Sequence, residues 1–526
     1  MVIRTSFLIV VMLSSVLSAQ TVNVKCGTFT AITTRLENKM VKVESASAAR
    51  PSLHRSVLTK NQKIRIHYDT TGTNLPAMVD ASGIRIANSY QKFIDTLRVI
   101  LDSVWNTEVD HFSFEPPPAD NDRGGGAEYD FYVMDLGAGY FGQTVFETEF
   151  PVGPVKPNRQ YTSFIRIDND FGTGFRTKGI PAMMATTAHE FHHAIQVGGS
   201  GVWEDEQFFF YELSAEAMEP KVFTDAQDYL FDVKDYYTHL TSYPLFAKWT
   251  ANTPGYERAI WGIYLMEKFG TVAMKDLWNE IKTQRPVNAL NTVLNSYSTT
   301  IQREFADFSF WNYYTAYRAD SVNYYPQAKK LPLVSYQQVL TAFDAVQEQN
   351  IVSKSFVTSY FKITKGNDSA FCIVSNTNLA DVMQNTDQSL SAKLAYTSSP
   401  TSGLPGISNS IYGKFTANES HLWSYNTVGF QSGSNCFPNP FNPGTSSLLI
   451  PLQNIGASTD AMLSIYSASG LDLIYSAPAN YTSFSGMQYA EWKGKDKTGQ
   501  MVSSGVYLWV LSKGSTVVKG KFAVIR

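Results

Sequence analysis

The stretch PAMMATTAHEFHHAIQVGG, residues 181–199, decides how the first half of this chain is interpreted. Pro181 suits the first turn of a helix, where its missing N–H costs nothing, and Gly198 with Gly199 favours a helix end. Between them, apolar residues recur at helical spacing: Met184, Ala188, Phe191 and Ile195. The pattern predicts one helix that carries three of the chain's eight histidines.

Two of these histidines have the spacing of metal ligands. Four residues advance a helix by about 400°, so His189 and His193 project from one face and can share an ion. Imidazole nitrogens suit zinc. Glu190 follows the first histidine and lies beside the ion, where its carboxylate can act as general base toward a water molecule. His192 is a competing ligand, because His189 and His192 also share a face; the alternative is packing on the helix flank.

A zinc peptidase site needs a third protein ligand. Residues 208–223, FFFYELSAEAMEPKVF, form a helical stretch with three carboxylates, Glu212, Glu216 and Glu219. Glu212 follows His193 by 19 residues, which is room for one helix to end and a second to pack against it. The stretch is either a solvated acidic face or, given its strongly apolar neighbours, a place where a carboxylate has a partner. Glu212 has the densest apolar flanks and is the predicted ligand.

The composition limits the function classes. Lys and Arg total 43 against 46 for Asp and Glu, a formal net charge of −3, and no long basic run occurs, which argues against a nucleic-acid partner. The 29 Tyr and 33 Phe favour strands outside the metal-binding region. Three cysteines are too few for a disulfide framework. Cys372 and Cys436 either pair or are buried thiols, and Cys26 offers a thiolate that could bind the metal and hold the protein latent.

Residues 1–19 combine an early arginine, an apolar run and small residues, which predicts a secretory signal peptide. Residues 20–60 are polar and are interpreted as a leader or propeptide. No later stretch of about 18 apolar residues follows, so no transmembrane segment is expected.

Residues 61–325 are expected to form the metal-binding domain. Predicted strands at residues 63–71, 129–136 and 163–168 precede most of the predicted helices, at residues 84–104, 181–197, 205–222, 257–269, 272–282 and 288–305. The order favours an α+β class. Residues 331–430 break into short β-prone runs and predict a β-sandwich, and residues 435–526 predict an Ig-like β-sandwich. The chain is therefore expected to be multidomain.

The metal-binding region resembles the gluzincin metallopeptidases, in particular exported bacterial members with HEFFHAxQ followed by EGTAxWMEDxV. The matching stretches are HEFHHAIQ, YELSAEAMEPKVF, IRIHYDTTG, GGGAEYDFYVMDLG and YERAIWGIYLMEKFG, within about residues 50–314. Leu213 and Ser214 stand where the family has Gly-Thr, and Pro220 where it has an acid.

The resemblance implies a zincin-like fold and one catalytic Zn²⁺ held by His189, His193 and Glu212, with Glu190 as catalytic base. It also implies that Glu216, one helical turn beyond Glu212, accepts the far N–H of a ligating histidine. Tyr256 is the expected stabiliser of the transition state because of its family-like position, and His239 is the second candidate.

The C-terminal region resembles the sorting domains of type IX secretion substrates and the Ig-like domain of flagellar hook-capping proteins. The matching elements are PNPFNPGT, IYSASG, WKGKDKTG and SSGVYLW, with Lys493 where the family usually has Asp. The resemblance implies that secretion machinery is a partner and that the protein is secreted or held at the cell surface. The alternative is an ordinary accessory β-domain.

Together these features predict a secreted or cell-surface zinc endopeptidase acting on proteins or peptides. Two alternatives stay open: a catalytically weak adhesion or scaffold protein on a peptidase fold, and hydrolysis of another bond, such as a cell-wall amide, by the same water chemistry.

Overall fold

The computed structural model describes residues 25–28, 49–137, 139–150, 158–203, 207–250, 253–366, 368–400, 403–408, 410–430, 436, 440–444, 446–452, 461–468, 472–484, 487–514 and 516–526. The expected signal peptide, residues 1–19, lies outside this set, as does most of the expected leader. The chain divides into two compact units: residues up to Tyr236 with Ala247–Ser298, and Tyr237–Phe246 with Thr299–Arg526.

A five-stranded sheet organises the first unit, in the order β1-β2-β3-β5-β4. Its strands are β1 Arg55–Leu58, β2 Ile64–Tyr68, β3 Tyr129–Met134, β4 Gly142–Phe150 and β5 Gln160–Asp168. The three central strands are parallel, and both edge strands are antiparallel to their neighbours. Helix α1, Tyr90–Trp105, lies in the connection from β2 to β3, as a parallel pair requires. Apart from α1, the α-helices of this unit follow the sheet in the sequence, in the order that the pattern predicted, and the fold class is mixed α/β.

The sequence pattern did not predict two of the edge strands, β1 and β4. Residues 55–58 were expected in the leader, yet Arg55 pairs with Tyr68 and Leu58 with Arg65, so the sheet begins before residue 61. β1 has only four residues and none is fully buried, which leaves no alternating signal to read. β4 begins at a glycine, and the adjacent residues Thr148 and Glu149 are both exposed, so buried and exposed positions do not alternate along the strand.

The helices of the first unit follow the sheet. They are α2 Gly179–Ile195, α3 Phe209–Val222, α4 Tyr229–His239, which ends in the second unit, α5 Ala259–Phe269, α6 Val272–Ile281 and α7 Pro286–Ser296. The single helix expected over residues 288–305 is wrong: α7 ends and α8, Ile301–Trp311, begins anew. Ser298 has a positive φ of 59°, and the Thr300 side chain caps α8 by accepting from the Arg303 N–H.

In the second unit, residues 331–430 form two sheets in the orders β11-β10-β7 and β12-β9-β8-β6. Their elements are β6 Gln338–Thr341, β7 Gln347–Lys354, β8 Thr358–Lys365, β9 Asp368–Asn376, α9 Leu379–Gln384, β10 Ser389–Thr397, β11 Tyr412–Ala417 and β12 Trp423–Phe430. Ile351 and Leu394 from one sheet share a core with Ile363 and Cys372 from the other. This is the expected sandwich arrangement.

The C-terminal residues form a second pair of sheets, β13-β17-β16 and β15-β14-β18-β19. Their strands are β13 Leu448–Pro451, β14 Met462–Ser467, β15 Leu473–Pro478, β16 Asn480–Phe484, β17 Met487–Trp492, β18 Gly505–Lys513 and β19 Thr516–Val524. Trp492 and Trp509, one from each sheet, share this core with Cys436. Cys372 and Cys436 are free thiols in separate cores, so the alternative of a disulfide between them is wrong. No helix among the described residues is long and apolar enough to cross a bilayer.

Candidate metal centre

Helix α2 lies in the interior of the first unit. Its residues from Ala185 to Ile195 are all buried, as expected for a helix whose faces are all covered. The edge strand β4 passes close to it at Gly142. A Cβ at this position would lie 2.7 Å from Thr186 Cγ2 and 2.8 Å from Glu190 Cγ, so only glycine fits without displacement of its neighbours. The glycine therefore brings the sheet edge directly against the helix that carries the histidines.

Three donor atoms converge between α2 and α3. His189 Nε2 lies 3.0 Å from His193 Nε2, and each nitrogen lies 3.2 Å from Glu212 Oε2. Ligands held at zinc–ligand distances of ~2.0 to 2.1 Å in a tetrahedron are about 3.3 Å apart. All three side chains are buried. The donor set and its spacing therefore fit a zinc ion with little relaxation.

Hydrogen bonds on the far side of His193 fix its tautomer. Its Nδ1 lies 2.7 Å from Gln196 Oε1. The Gln196 amide is oriented by its own donors, because Nε2 donates to the Tyr211 carbonyl at 3.1 Å and to Ser214 Oγ at 2.8 Å. His193 Nδ1 must then carry the proton that Gln196 accepts, which leaves the Nε2 lone pair directed at the cluster.

His189 is oriented by carboxylates. Its Nδ1 lies 3.1 Å from Glu219 Oε1 and 3.3 Å from Glu216 Oε2. The expected partner, Glu216, is therefore joined by Glu219. Two acceptors at Nδ1 hold the proton there and leave Nε2 free to bind a metal.

A buried lysine neutralises this acidic group. Lys25 Nζ lies 2.7 Å from Glu216 Oε2 and 2.8 Å from Asp228 Oδ2, and it also pairs with Glu219. Burial alone would lower the pKa of Lys25, but the three carboxylates raise it well above its ordinary value. Arg176 Nη2 also pairs with Asp228 Oδ2, at 2.7 Å. Two further groups of described residues have the spacing to hold a cation, and both include Glu216. Lys25 and Arg176 already supply positive charge there.

Glu190 is held by two hydroxyl groups. Its Oε2 lies 2.8 Å from Thr144 Oγ1 of β4 and 2.8 Å from Thr28 Oγ1. The carboxylate is 1% exposed, so these two groups replace water as its hydrogen-bond donors. Glu190 does not belong to the ligand cluster, which leaves its carboxylate available for proton transfer.

Cys26 completes the cluster around the donor atoms. Its Sγ and the ligand atoms of His189, His193 and Glu212 all lie within 4.8 Å of one another. Of the groups that contact the centre, Gln196 could have been found by its spacing of three residues from His193. Lys25, Thr28 and Thr144 could not, because they reach the site from distant parts of the chain.

His192, the competing ligand, points away from the cluster. Its Nδ1 lies 2.8 Å from Glu108 Oε2, and neither ring atom belongs to a metal-binding group within the described part of the chain. Burial lowers the pKa of His192 well below its ordinary value and raises the pKa of Glu108. The pair is therefore a neutral hydrogen bond in the protein interior. His239 lies at the end of α4 and belongs to none of these groups either.

Tyr256 lies beside the cluster, with its ring centroid 5.8 Å from that of His189. Gly255, with a φ of 130°, allows the chain to turn there, and a Cβ on it would lie 2.3 Å from the Phe209 carbonyl oxygen. Burial raises the pKa of Tyr256 well above its ordinary value, and Glu212 adds to the increase, so the phenol keeps its proton. Tyr256 can therefore donate a hydrogen bond near the metal position.

The electrostatics of the centre favour positive charge. Burial alone would raise the pKa of Glu212, but the two histidines hold it at about 2. Burial would lower the pKa of His189, but its polar neighbours raise it well above its ordinary value. Without a metal, a protonated histidine supplies the positive charge at this site. A divalent cation bound by the three donor atoms would supply it instead.

No family model matches the chain, and no curated protein sequence matches it. Among solved structures, a similarity is found to PorZ, an essential bacterial surface component of the type IX secretion system of Porphyromonas gingivalis. The identity is 17% and the TM-score 0.14, over 32% of this chain and 23% of PorZ, so this chain matches less than a quarter of PorZ's length. A likeness of this extent decides neither fold nor activity, and membership of the gluzincins stays a prediction.

Proposed function

We propose that this chain is a zinc-dependent endopeptidase. The observation that carries the proposal is the triangle of His189 Nε2, His193 Nε2 and Glu212 Oε2, with edges of 3.0 to 3.2 Å. Both histidines have their other nitrogen occupied by an acceptor, which is the arrangement that metal-binding imidazoles need. When bound, zinc lowers the pKa of a water molecule to about 7 and polarises a carbonyl group.

The chain's own residues supply the proton transfers. Glu190 is proposed as the general base that takes a proton from the attacking water and later gives one to the leaving amine. Thr144 holds Glu190 Oε2 at 2.8 Å and so fixes the carboxylate against the strand β4. Tyr256 is proposed to donate to the oxygen on which negative charge develops, since its phenol lies beside His189.

The substrate class follows from the sheet edge. Among the described residues β4 is the last strand of its sheet and pairs with β5 on one side, so its other edge is of the kind that pairs with an extended segment of chain. An extended peptide can add to such an edge by main-chain hydrogen bonds. Because Gly142 of β4 contacts the Glu190 side chain, a peptide on this edge lies next to the base and the metal ligands. A polypeptide is therefore favoured over other amides.

Export to the cell surface is part of the same proposal. Its support is the resemblance of the C-terminal region to type IX sorting domains and the two-sheet module that residues 436–526 form around their own core. The predicted signal peptide is consistent with this route.

Metal content and hydrolysis test the proposal together. The purified chain should bind one zinc ion by mass spectrometry, and Glu190→Gln should keep the ion while hydrolysis of casein falls by about 10² to 10⁴-fold. His193→Ala should lose the ion. The matched control is His192→Ala, which should keep it, because His192 pairs with Glu108 outside the cluster.

Two results would contradict the proposal. Zinc retained by His193→Ala would remove the ligand set. The second is a chain that binds one ion but hydrolyses no protein, even after a cut between residues 29 and 48 has separated the N-terminal segment from the proposed catalytic residues. This result would favour the adhesion or scaffold alternative.

A further inference from the structure

The segment Lys25–Thr28 lies along the edge of β4 that faces away from β5. Gly27 N donates to the Gly142 carbonyl at 3.2 Å, and Phe141 N donates to the Lys25 carbonyl at 3.2 Å. Gln143 Nε2 adds a bond to the Gly27 carbonyl at 2.9 Å. Cys26 pairs with Gly142 as a parallel β-bridge. The segment therefore uses the backbone groups that an extended peptide would use at this edge.

The side chain of Cys26 faces the metal ligands. Its surroundings differ from those of the other two cysteines, because Cys372 and Cys436 lie in the apolar cores of the two β-sandwich modules. Cys26 instead lies with His189, His193 and Glu212, and all four donor atoms are within 4.8 Å of one another. Zinc takes four ligands in a tetrahedron, and thiolate sulfur is one of its preferred donors at ~2.3 Å. Cys26 is therefore positioned as a fourth ligand.

Lys25 and Thr28, the two ends of the segment, contact the residues that surround the proposed metal ligands. Lys25 is 3% exposed and forms ion pairs with Glu216, Glu219 and Asp228. Thr28 Oγ1 donates to Glu190 Oε2 at 2.8 Å and accepts from the Thr144 N–H at 2.8 Å. One short segment thus contacts the ligand cluster, the base and the carboxylates that orient His189. A fortuitous contact of the chain's N-terminal region would not satisfy all three.

We propose that Lys25–Thr28 is a built-in inhibitor whose Cys26 thiolate binds the metal as fourth ligand and keeps peptides off the β4 edge. This inference rests on the proposed zinc peptidase function. On binding, the Cys26 thiol releases its proton to solvent as the sulfur–metal bond forms, and on departure the thiol takes a proton back while water takes the position. A cut between residues 29 and 48 would separate the segment from the rest of the catalytic unit.

Cobalt substitution tests the thiolate directly and does not depend on activity. The full chain loaded with Co²⁺ in place of zinc should show a near-ultraviolet sulfur-to-cobalt charge-transfer band. Cys26→Ser should lose that band, whereas the matched controls Cys372→Ser and Cys436→Ser should keep it.

The outcomes separate the two proposals. One outcome is that the unmodified chain binds one Co²⁺ and shows no charge-transfer band. That result would overturn the assignment of Cys26 as a ligand but leave the ligand set of the proposed function intact. No bound Co²⁺, or binding that survives His193→Ala, would overturn both.

Hydrolysis provides the second readout. Two altered forms should hydrolyse casein about tenfold faster or more than the intact chain. One is Cys26→Ser, and the other is the chain cut by a specific protease at a recognition site introduced within residues 36–44. In both forms a larger fraction of molecules has an open site, and the apparent affinity for substrate rises with that fraction. Equal rates for the intact, cut and Cys26→Ser forms would overturn the inhibitory role.

Discussion

At the scale of single residues, Glu212 and Glu216 occupy successive turns of one helix but meet opposite nitrogens of His189. Glu212 Oε2 lies 3.2 Å from Nε2, and Glu216 Oε2 lies 3.3 Å from Nδ1. Under the proposed function a bound metal would replace the first contact, whereas the second would persist and hold the ring. The two glutamates therefore differ in role although they resemble each other in burial and charge.

Zinc titration should separate these roles. Glu212→Ala should nearly abolish zinc binding, because it removes a ligand, whereas Glu216→Ala should weaken binding by about 10 to 100-fold, because Glu219 still accepts from His189. Glu108→Gln is the matched control, since Glu108 is a buried glutamate that contacts His192 and not the cluster. Zinc lost by Glu216→Ala but retained by Glu212→Ala would move the third ligand by one helical turn.

The sequence could predict the residues whose relation is local. His189, Glu190 and His193 follow from helical spacing, and Glu212 from its apolar neighbours on the next helix. Thr28 and Lys25 could not be predicted, because they meet Glu190 and Glu216 across 162 and 191 residues. Such contacts depend on how the sheet and helices pack, and no spacing rule encodes that.

At the scale of elements, the junction of β4 and α2 decides how close the sheet edge comes to the metal. Gly142→Ala places a methyl group 2.7 to 2.8 Å from side-chain atoms of Thr186 and Glu190. The strand or the Glu190 side chain must move, so we expect a loss of about 1 to 3 kcal/mol in the free energy of unfolding. Hydrolysis should fall further than the loss of folded protein accounts for, because Glu190 is displaced.

Calorimetry and casein hydrolysis check this expectation. Gly505→Ala is the control, because Gly505 is also a strand glycine but its added Cβ would meet only Tyr507 Cε2 at 3.7 Å. Unchanged hydrolysis in Gly142→Ala, with the same zinc content, would show that the strand's distance from Glu190 does not matter.

The long periodic elements of this unit could be predicted, and the short or interrupted ones could not. β3 and β5 are buried central strands, and α2 has continuous apolar spacing. β4 was missed although it borders the site, because its outer residues are exposed and its first residue is glycine. The expected helix over residues 288–305 kept its apolar period across Ser298, whose positive φ ends the helix without a glycine or proline to signal it.

At the scale of the whole molecule, the proposed function assigns metal binding and delivery to different parts of the chain. Deletion of residues 435–526 should leave zinc stoichiometry and hydrolysis unchanged, because all ligands lie in the first unit and the deleted module has its own core. In the native host the truncated chain should accumulate in the periplasm. Fractionation with an antibody to the catalytic unit, with the full chain as control, measures both. Normal surface delivery without residues 435–526 would refute the sorting role.

The position of Lys25–Thr28 in the chain has a consequence for the cell that makes this protein. The segment precedes β4, α2 and α3 in the sequence, so the ribosome completes it before His189, Glu190 and the other residues of the proposed centre are made. Under the two proposals above, the inhibitory segment is therefore present from the start of synthesis, and the first exposure of the catalytic groups would be set by an event after folding.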